Sequence, residues 1–298
     1  MSKLLTVLKN AARQSVADEV LTYAAALAFY TALSLPPLLV ILLWILGGIS
    51  DGAEEHLRSE AELLMGGDGA AAIDTILENA EDRVDLTGLS GLISTIALLF
   101  AATGVFSRLQ AALNEIWEVR PKGSVGWWVW LRKRLLSLGL LGVVSFLMLV
   151  SLAASTFLGM LDVSFGADLL ASTLNTVFTV VVFTLLFAAV YRLLPDVDMR
   201  WRDVWGGALL TACLFGVGKW GIGAYLSHRG LGNQYGVAGS AIVLLVWVYF
   251  SAILVLVGAE ITQAWLAESG RVLEPNAHAE RKPRHPTADD DGDGSGSD

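Results

Sequence analysis

Five long stretches of this chain contain no charged residue. They are 22 to 31 residues long, and they lie between Glu19 and Asp51, Asp85 and Arg108, Arg134 and Asp162, Asp168 and Arg192, and Arg229 and Glu260. A helix that crosses a bilayer needs roughly 20 apolar residues. A sixth apolar stretch, 204–227, is interrupted only by Lys219. The pattern predicts an all-α, polytopic membrane protein.

The spacing of these stretches predicts six transmembrane helices within a domain that covers residues 1–270. We place them at 24–49, 86–106, 135–161, 169–191, 204–226 and 237–265. The acidic segment 51–85 has apolar residues at helical spacing and a Gly66-Gly-Asp-Gly break, which predicts two short amphipathic helices outside the membrane. Residues 271–298 end in an acidic, glycine-rich run and are expected to form a disordered tail.

Basic residues in the connecting segments predict the orientation. Sixteen lysines and arginines lie in the N-terminal segment, the second and fourth loops and the tail, against three on the opposite side. Cytoplasmic loops carry the excess of basic residues in membrane proteins. Both termini are therefore expected in the cytoplasm of a protein that crosses the cell membrane several times.

Composition excludes several other classes of protein. The net charge is −9, and clustered positive charge of the kind that binds nucleic acid is absent. The single cysteine, Cys213, cannot form an internal disulfide, and the four histidines are scattered. The sequence therefore predicts no metal site and no cofactor. The acidic tail is similar in style to proteins of salt-loving archaea, and an ordinary solvated tail is the alternative.

Glu260 is the first candidate for a functional group within the membrane. An ionisable residue in the middle of a span costs about 2.5–3.5 kcal/mol on insertion scales. Arg192 and Arg108 lie at the same predicted depth, near the inner ends of their helices. Glu260 could form a structural ion pair with one of them, act in a gate or proton-coupled step, or lie at the interface.

Lys219 is the second candidate, and it lies in a glycine-rich part of the fifth span. Its amine could reach outward to lipid phosphates, or line a cavity that receives an anionic substrate. Asn233, Gln234 and Tyr235 follow at the outer end of the sixth helix and could share that site.

Two further polar features have structural interpretations. Pro36 and Pro37 lie within the first span and predict a helix kink, since proline removes a backbone donor. Asn114 and Glu115 follow the second span and are expected to be interfacial anchors rather than a site.

Four motifs in order along the chain resemble the YihY/virulence factor BrkB family. They are Ala24-Ala-Ala-Leu-Ala-Phe-Tyr-Thr with Pro36-Pro37, Ala112-Leu-Asn-Glu-Ile-Trp-Glu-Val, Leu193-Leu-Pro with Asp203-Val-Trp-Gly-Gly-Ala, and Tyr235-Gly-Val-Ala-Gly-Ser with Trp247-Val-Tyr and Gly258-Ala-Glu260. The resemblance implies a six-helix inner-membrane protein with both termini inside. It implies a role in the envelope and names no substrate.

The function expected from these features is that of a transporter or lipid translocase that does not hydrolyse ATP, since no phosphate-binding loop is present. Its partners would be membrane lipids and an anionic solute or lipid. The alternative is a non-transporting scaffold or envelope-integrity protein, whose helix bundle would have a closed, apolar interior. Family members were formerly labelled ribonuclease BN, but the chain lacks the metal ligands and basic groove of such an enzyme. We expect no enzymatic activity, and the sequence leaves the oligomeric state open.

Overall fold

The computed structural model describes residues 2–47, 104–122, 168–229, 237–271 and 273–282, with a few single positions between 55 and 142. These residues form six helices and four short strands. The helices are α1 (Ser2–Ala17), α2 (Val20–Gly47), α3 (Gly104–Ile116), α4 (Asp168–Leu193), α5 (Trp201–Arg229) and α6 (Val237–Glu268). The strands are β1 (Val119–Pro121), β2 (Val197–Asp198), β3 (Glu274–Pro275) and β4 (Ala279–Arg281).

Four of the predicted spans coincide with helices. Helix α2 overlaps the first predicted span as far as Gly47, and helices α4, α5 and α6 cover the fourth, fifth and sixth predicted spans. By length and hydropathy, Thr176–Leu193 and Ala241–Glu268 can each cross a membrane alone. Leu5–Ala17 and Val20–Pro36 meet the same criterion only together. The predicted second and third spans, 86–106 and 135–161, lie almost entirely outside the described residues.

The sharp bend near the N-terminus lies between α1 and α2, before the predicted first span 24–49. Helices α1 and α2 meet at an angle of 62°, and Glu19 between them has a φ of 51°. We call Asp18 and Glu19 the elbow. Helix α2 continues through Pro36 and Pro37 to Gly47, so the prolines do not end the helix. The kink predicted there stays a prediction.

Aromatic side chains fill the interior where α4, α5 and α6 pack together. The ring centroids of Phe183 and Phe215 are 5.0 Å apart, and those of Phe215 and Trp247 are 5.9 Å apart. Tyr191 is fully buried and stacks on Phe187, with ring centroids 6.5 Å apart. Its hydroxyl donates to the carbonyl oxygen of Val255 at 2.7 Å and contacts Thr211 Oγ1 at 2.9 Å. A tyrosine hydroxyl on α4 thus joins all three helices.

One end of the bundle is closed by two small antiparallel sheets. Strand β1 pairs with β4, so that Arg120 lies opposite Glu280, and β2 pairs with β3. We call this end, formed by the elbow and the four strands, the capped end. Residues 273–282 therefore belong to the folded domain, and Ala279 is buried. The disordered tail that we predicted from residue 271 does not begin there, because these residues gain strand pairing. Residues 283–298 lie outside the described part.

The acidic insertion 51–85 is described only at single positions. Residues 55, 57–59, 62, 71 and 74, on both sides of the glycine break, are each helical. The two predicted amphipathic helices otherwise lie outside the described residues. Arg58 Nε donates to Asp74 Oδ1 at 2.8 Å. The two halves of the insertion therefore contact each other.

Candidate functional site

Glu260 is the most unusual polar residue among those described. It is completely buried on α6, inside the candidate membrane span Ala241–Glu268. Neither carboxylate oxygen has a hydrogen-bond donor within the described part of the chain. A buried carboxylate normally has a base or several donors, because desolvation makes an isolated charge expensive. Among the described residues, Glu260 departs from this rule.

The ion pair predicted for Glu260 is not formed. The Arg108 guanidinium donates to Tyr30 Oη at 2.7 Å and lies 4.2 Å from the centre of that ring. The Arg192 guanidinium lies 4.5 Å from the centre of the Trp201 ring. Both arginines stack on aromatic rings, which suits a planar guanidinium near the membrane interface.

The neighbour of Glu260 is a second carboxyl group. Asp18, in the elbow between α1 and α2, interacts electrostatically with the Glu260 carboxyl. The elbow is held there because Val7 and Ala11 of α1 pack against Ala264, one turn beyond Glu260 on α6. Burial raises the pKa of Asp18 to about 6. The interaction with Glu260 lowers this pKa, as does Lys282, whereas Glu115 and Glu118 raise it.

A second polar cluster connects α3 to the capped end. Asn114 is buried and donates from Nδ2 to Asp196 Oδ2 at 2.9 Å, and its Oδ1 accepts from the Asp196 backbone N–H at 2.8 Å. The Asn276 backbone N–H donates to the Asp196 carbonyl oxygen at 3.0 Å. Asn114 is thus not the interfacial anchor that we predicted. The sequence signal was its position between the apolar residues Leu113 and Ile116, which places it on the buried side of the helix.

Glu115, next to Asn114, holds the C-terminal segment in place. Lys282 forms an ion pair with Glu115, and the Lys282 backbone N–H donates to the Glu118 carbonyl oxygen at 2.7 Å. Tyr23 Oη donates to Glu115 Oε2 at 3.4 Å. Helices α2 and α3 and the C-terminal segment therefore meet beside the elbow.

The predicted anion site is described only in part. Lys219 lies on α5, is partly buried, and has no ion pair or hydrogen bond to another described residue. Asn233, Gln234 and Tyr235 lie outside the described residues. A separate apolar groove of about 470 Å³ lies between α4 and α5, with Thr184, Leu185 and Trp205 among its lining residues. Lys219 does not line that groove.

Comparison with known proteins identifies the family. The sequence model of the family described as virulence factor BrkB matches residues 11–284. The chain belongs to the virulence factor BrkB family. This match confirms the resemblance given by the four motifs. It also includes residues 273–282, in agreement with their place in the fold.

Several curated relatives carry the name UPF0761 membrane protein. The one from Aliivibrio salmonicida is 31% identical over 268 residues, which are 88% of this chain and 83% of the relative. The relative from Alkalilimnicola ehrlichii is 31% identical over 83% of this chain, and the one from Halorhodospira halophila 29% identical over 83%. The chain spans only 55% and 54% of the lengths of these two. No solved structure matches the chain.

Proposed function

We propose that this BrkB-family membrane protein is a transporter or lipid translocase of the cytoplasmic membrane, without ATP hydrolysis and without enzymatic activity. Its substrate would be an anionic solute or lipid. One observation carries the proposal: Glu260 is completely buried in a candidate membrane span and bonds no base among the described residues. Ionisable groups within spans are rare and usually functional because their insertion is costly.

The absence of an ion pair between Glu260 and either arginine supports a functional role for Glu260. If Glu260 only fixed the packing of helices, an arginine at the same depth would neutralise it. Arg108 and Arg192 are instead engaged with aromatic rings. A role in gating or in proton coupling accounts for a buried acid that keeps no permanent counter-charge.

We also propose the complete topology of six spans with both termini in the cytoplasm. The four helices α2, α4, α5 and α6 agree with the predicted spans, and the bias of sixteen basic residues against three supports the orientation. In this arrangement the capped end faces the cytoplasm. Glu260 then lies near the inner surface, and Lys219 in the outer half of the membrane.

A non-transporting scaffold is the second candidate, and a specific observation favours it. The described interior where α4, α5 and α6 meet is filled by aromatic rings in tilted and edge-to-face contact. A closed apolar interior is the arrangement that a scaffold requires. The two candidates differ in whether Glu260 is needed for anything beyond folding.

Complementation of a deletion strain separates the two candidates. We would compare lipids and metabolites in cells that carry no copy, the wild-type chain, Glu260→Gln, or Glu268→Gln. Glu268 is exposed at the end of the same helix and provides the matched control. Transport predicts an anionic solute or lipid whose level changes on deletion and is restored by the wild type and Glu268→Gln, but not by Glu260→Gln. Full restoration by a well-expressed Glu260→Gln variant would contradict the proposal.

A further inference from the structure

The apolar groove between α4 and α5 lies at the depth of the acyl chains of one leaflet. Val180, Val181 and Leu185 line it from α4, inside the candidate span Thr176–Leu193. Leu185 is seven residues and Val181 eleven residues before Arg192, so this wall is about 10 to 17 Å from the inner end of the helix at 1.5 Å per residue. The hydrocarbon core of a bilayer is about 30 Å thick. The groove therefore belongs to the half of the membrane on the side of the capped end.

The lining of the groove is apolar. Thr184 is the residue of the lining that carries a hydroxyl, and this hydroxyl donates to the carbonyl oxygen of Val180 in its own helix at 2.6 Å. Trp205 and Leu209 form the wall on α5, and both are exposed. A Cβ atom on Gly206, which lies between them, would have nothing within 4 Å, so the glycine leaves the groove open. The groove therefore suits a hydrocarbon chain rather than a water-soluble anion.

Two arginines lie at the end of the groove nearest the capped end. On α4, Arg192 follows the lining residue Leu185 by seven residues. On α5, Arg202 precedes the lining residue Leu209 by seven residues. Seven residues are nearly two complete helical turns, so each arginine lies on the side of its helix that forms the groove.

A tryptophan connects the two arginines. The Arg192 guanidinium lies 4.5 Å from the centre of the Trp201 ring, and Trp201 directly precedes Arg202. Stacking on a ring occupies the face of a planar guanidinium and leaves the N–H donors on its edge, which bind phosphate oxygens in pairs. Trp201 is exposed, as is typical of tryptophan at the level of the lipid headgroups.

The neighbouring acid does not neutralise this pair of arginines. The Asp203 carboxylate forms an ion pair with Arg271 and accepts from the Arg200 backbone N–H at 3.2 Å. Neither Arg192 nor Arg202 has an ion pair or hydrogen bond to another residue in the described part of the chain. Both positive charges are therefore available to an anion at this end of the groove.

We propose that the groove between α4 and α5 binds an anionic phospholipid. One acyl chain lies against Leu185 and Trp205, and the phosphate is bound by Arg192 and Arg202. Basic pockets between membrane helices bind anionic lipid headgroups in this way, and a phospholipid carries the chain and the phosphate in one molecule. The inference goes beyond the proposed function, because the lipid would bind to a transporter and to a scaffold alike.

Native mass spectrometry of the delipidated full chain measures this binding. Dioleoyl phosphatidylglycerol, which is anionic, would be compared with phosphatidylcholine that carries the same acyl chains. The wild type should bind phosphatidylglycerol about tenfold more tightly, since hydrogen bonds between charged groups are the stronger ones. Arg202→Gln and Arg192→Gln should each remove most of this preference. Arg120→Gln removes one charge at the same end from an arginine that is already paired with Glu280, and this matched control should keep the preference.

The apolar part of the site needs a separate variant. Gly206→Leu should weaken the binding of both lipids, because its side chain occupies the groove. Gly216→Leu is the control, since Gly216 is also exposed on α5 with open space around a Cβ but does not line the groove. It should bind both lipids as the wild type does.

Equal affinity of the wild type for the two lipids would overturn the proposal. Binding by Gly206→Leu as tight as that of the wild type would also overturn it, as would an unchanged preference in both arginine variants. Each variant would first be checked for a single symmetric peak in size exclusion, so that loss of binding is not loss of folding. These measurements involve no transport, so their failure is distinct from a failure of the transport proposal.

Discussion

Gly207 of α5 and Thr262 of α6 are so close that a Cβ atom on the glycine would lie 1.7 Å from Thr262 Oγ1. A second pair has the glycine on α6 and the threonine on α5: a Cβ atom on Gly258 would lie 2.0 Å from Thr211 Oγ1. Each threonine hydroxyl donates to the glycine carbonyl one turn before it, at 2.8 Å for Thr211 and 2.7 Å for Thr262. Two glycine–threonine pairs thus allow the two backbones to approach closely, as small residues do in membrane helices.

Gly207→Ala should destabilise the protein by about 1–3 kcal/mol, as overpacking of a close contact does. Gly206→Ala is the matched control, since nothing lies within 4 Å of a Cβ at that position. It should raise stability slightly, because alanine favours a helix by about 1 kcal/mol over glycine. Thermal unfolding followed by fluorescence-detected size exclusion measures both. Equal melting temperatures would show that the helices separate more easily than the structure indicates.

Asn114→Ala should lower the free energy of unfolding by about 1–3 kcal/mol, because it removes two hydrogen bonds from the buried Asp196, one to its carboxylate and one from its backbone N–H. Gln110→Ala is the control. It removes a longer and weaker bond to the same carboxylate, at 3.3 Å, and should cost less. A denaturant or thermal titration of both variants makes the comparison. A larger loss for Gln110→Ala would contradict this order.

Removal of residues 283–298 should leave the melting temperature almost unchanged. Removal of residues 273–298 should lower it clearly, because β3, β4 and the Lys282–Glu115 ion pair are lost. Arg120→Ala is a useful comparison, since it removes only the exposed ion pair to Glu280, worth about 0–1 kcal/mol. An unchanged melting temperature after removal of residues 273–298 would contradict this prediction. It would support the domain boundary at residue 270 that the composition predicts.

The proposed orientation predicts opposite labelling on two sides of the membrane. In a Cys213→Ala background, Glu62→Cys in the acidic insertion should react with an impermeant thiol reagent in intact cells. Ala277→Cys at the capped end should react only after the membrane is opened. Both positions are exposed on the protein, so access depends on the membrane alone. Labelling of Ala277→Cys in intact cells would reverse the topology.

If Lys219 binds an anion, Lys219→Met should abolish complementation while leaving expression and melting temperature nearly unchanged. The substitution keeps the length of the side chain and removes its charge. Lys219→Arg should retain part of the activity, because the positive charge remains. Complementation assays on variants matched for membrane yield provide the measurement. Full complementation by Lys219→Met would contradict the anion site. It would favour the alternative that the Lys219 amine contacts lipid phosphates.

The sequence predicts those parts of the fold that depend on local hydrophobicity alone. Charge-free runs locate α2, α4 and α6, and a run with the single charge of Lys219 locates α5, since each helix must satisfy its backbone within itself in lipid. The elbow between α1 and α2 gives no such signal, because Asp18 and Glu19 follow an ordinary amphipathic helix. Strands β3 and β4 were not predicted for a related reason. Their composition is polar, and their order comes from partners more than 70 residues away.

The sequence predicts only one of the two carboxyl groups at the candidate site. Glu260 is visible in the sequence because a charge follows a run of 30 uncharged residues. Its partner is not, since Asp18 is one acid among many and is more than 200 residues away in the chain. Arg108 and Arg192 were predicted as ion-pair partners of Glu260 because they lie at a similar depth along their helices. Whether two side chains can meet also depends on the direction in which each one points from its helix. The depth of a residue gives no information about that direction.

The sheets at the capped end impose an order on the synthesis of the protein. Strand β1 contains Arg120, whose opposite residue, Glu280, is translated 160 positions later. Throughout that interval the edges of β1 and β2 have no strand to pair with, and unpaired edges invite wrong associations. The pairing can be completed only after α6 has been inserted. A chain that stalls before that step leaves both edges unpaired, so the capped end forms only when the chain is complete to residue 281.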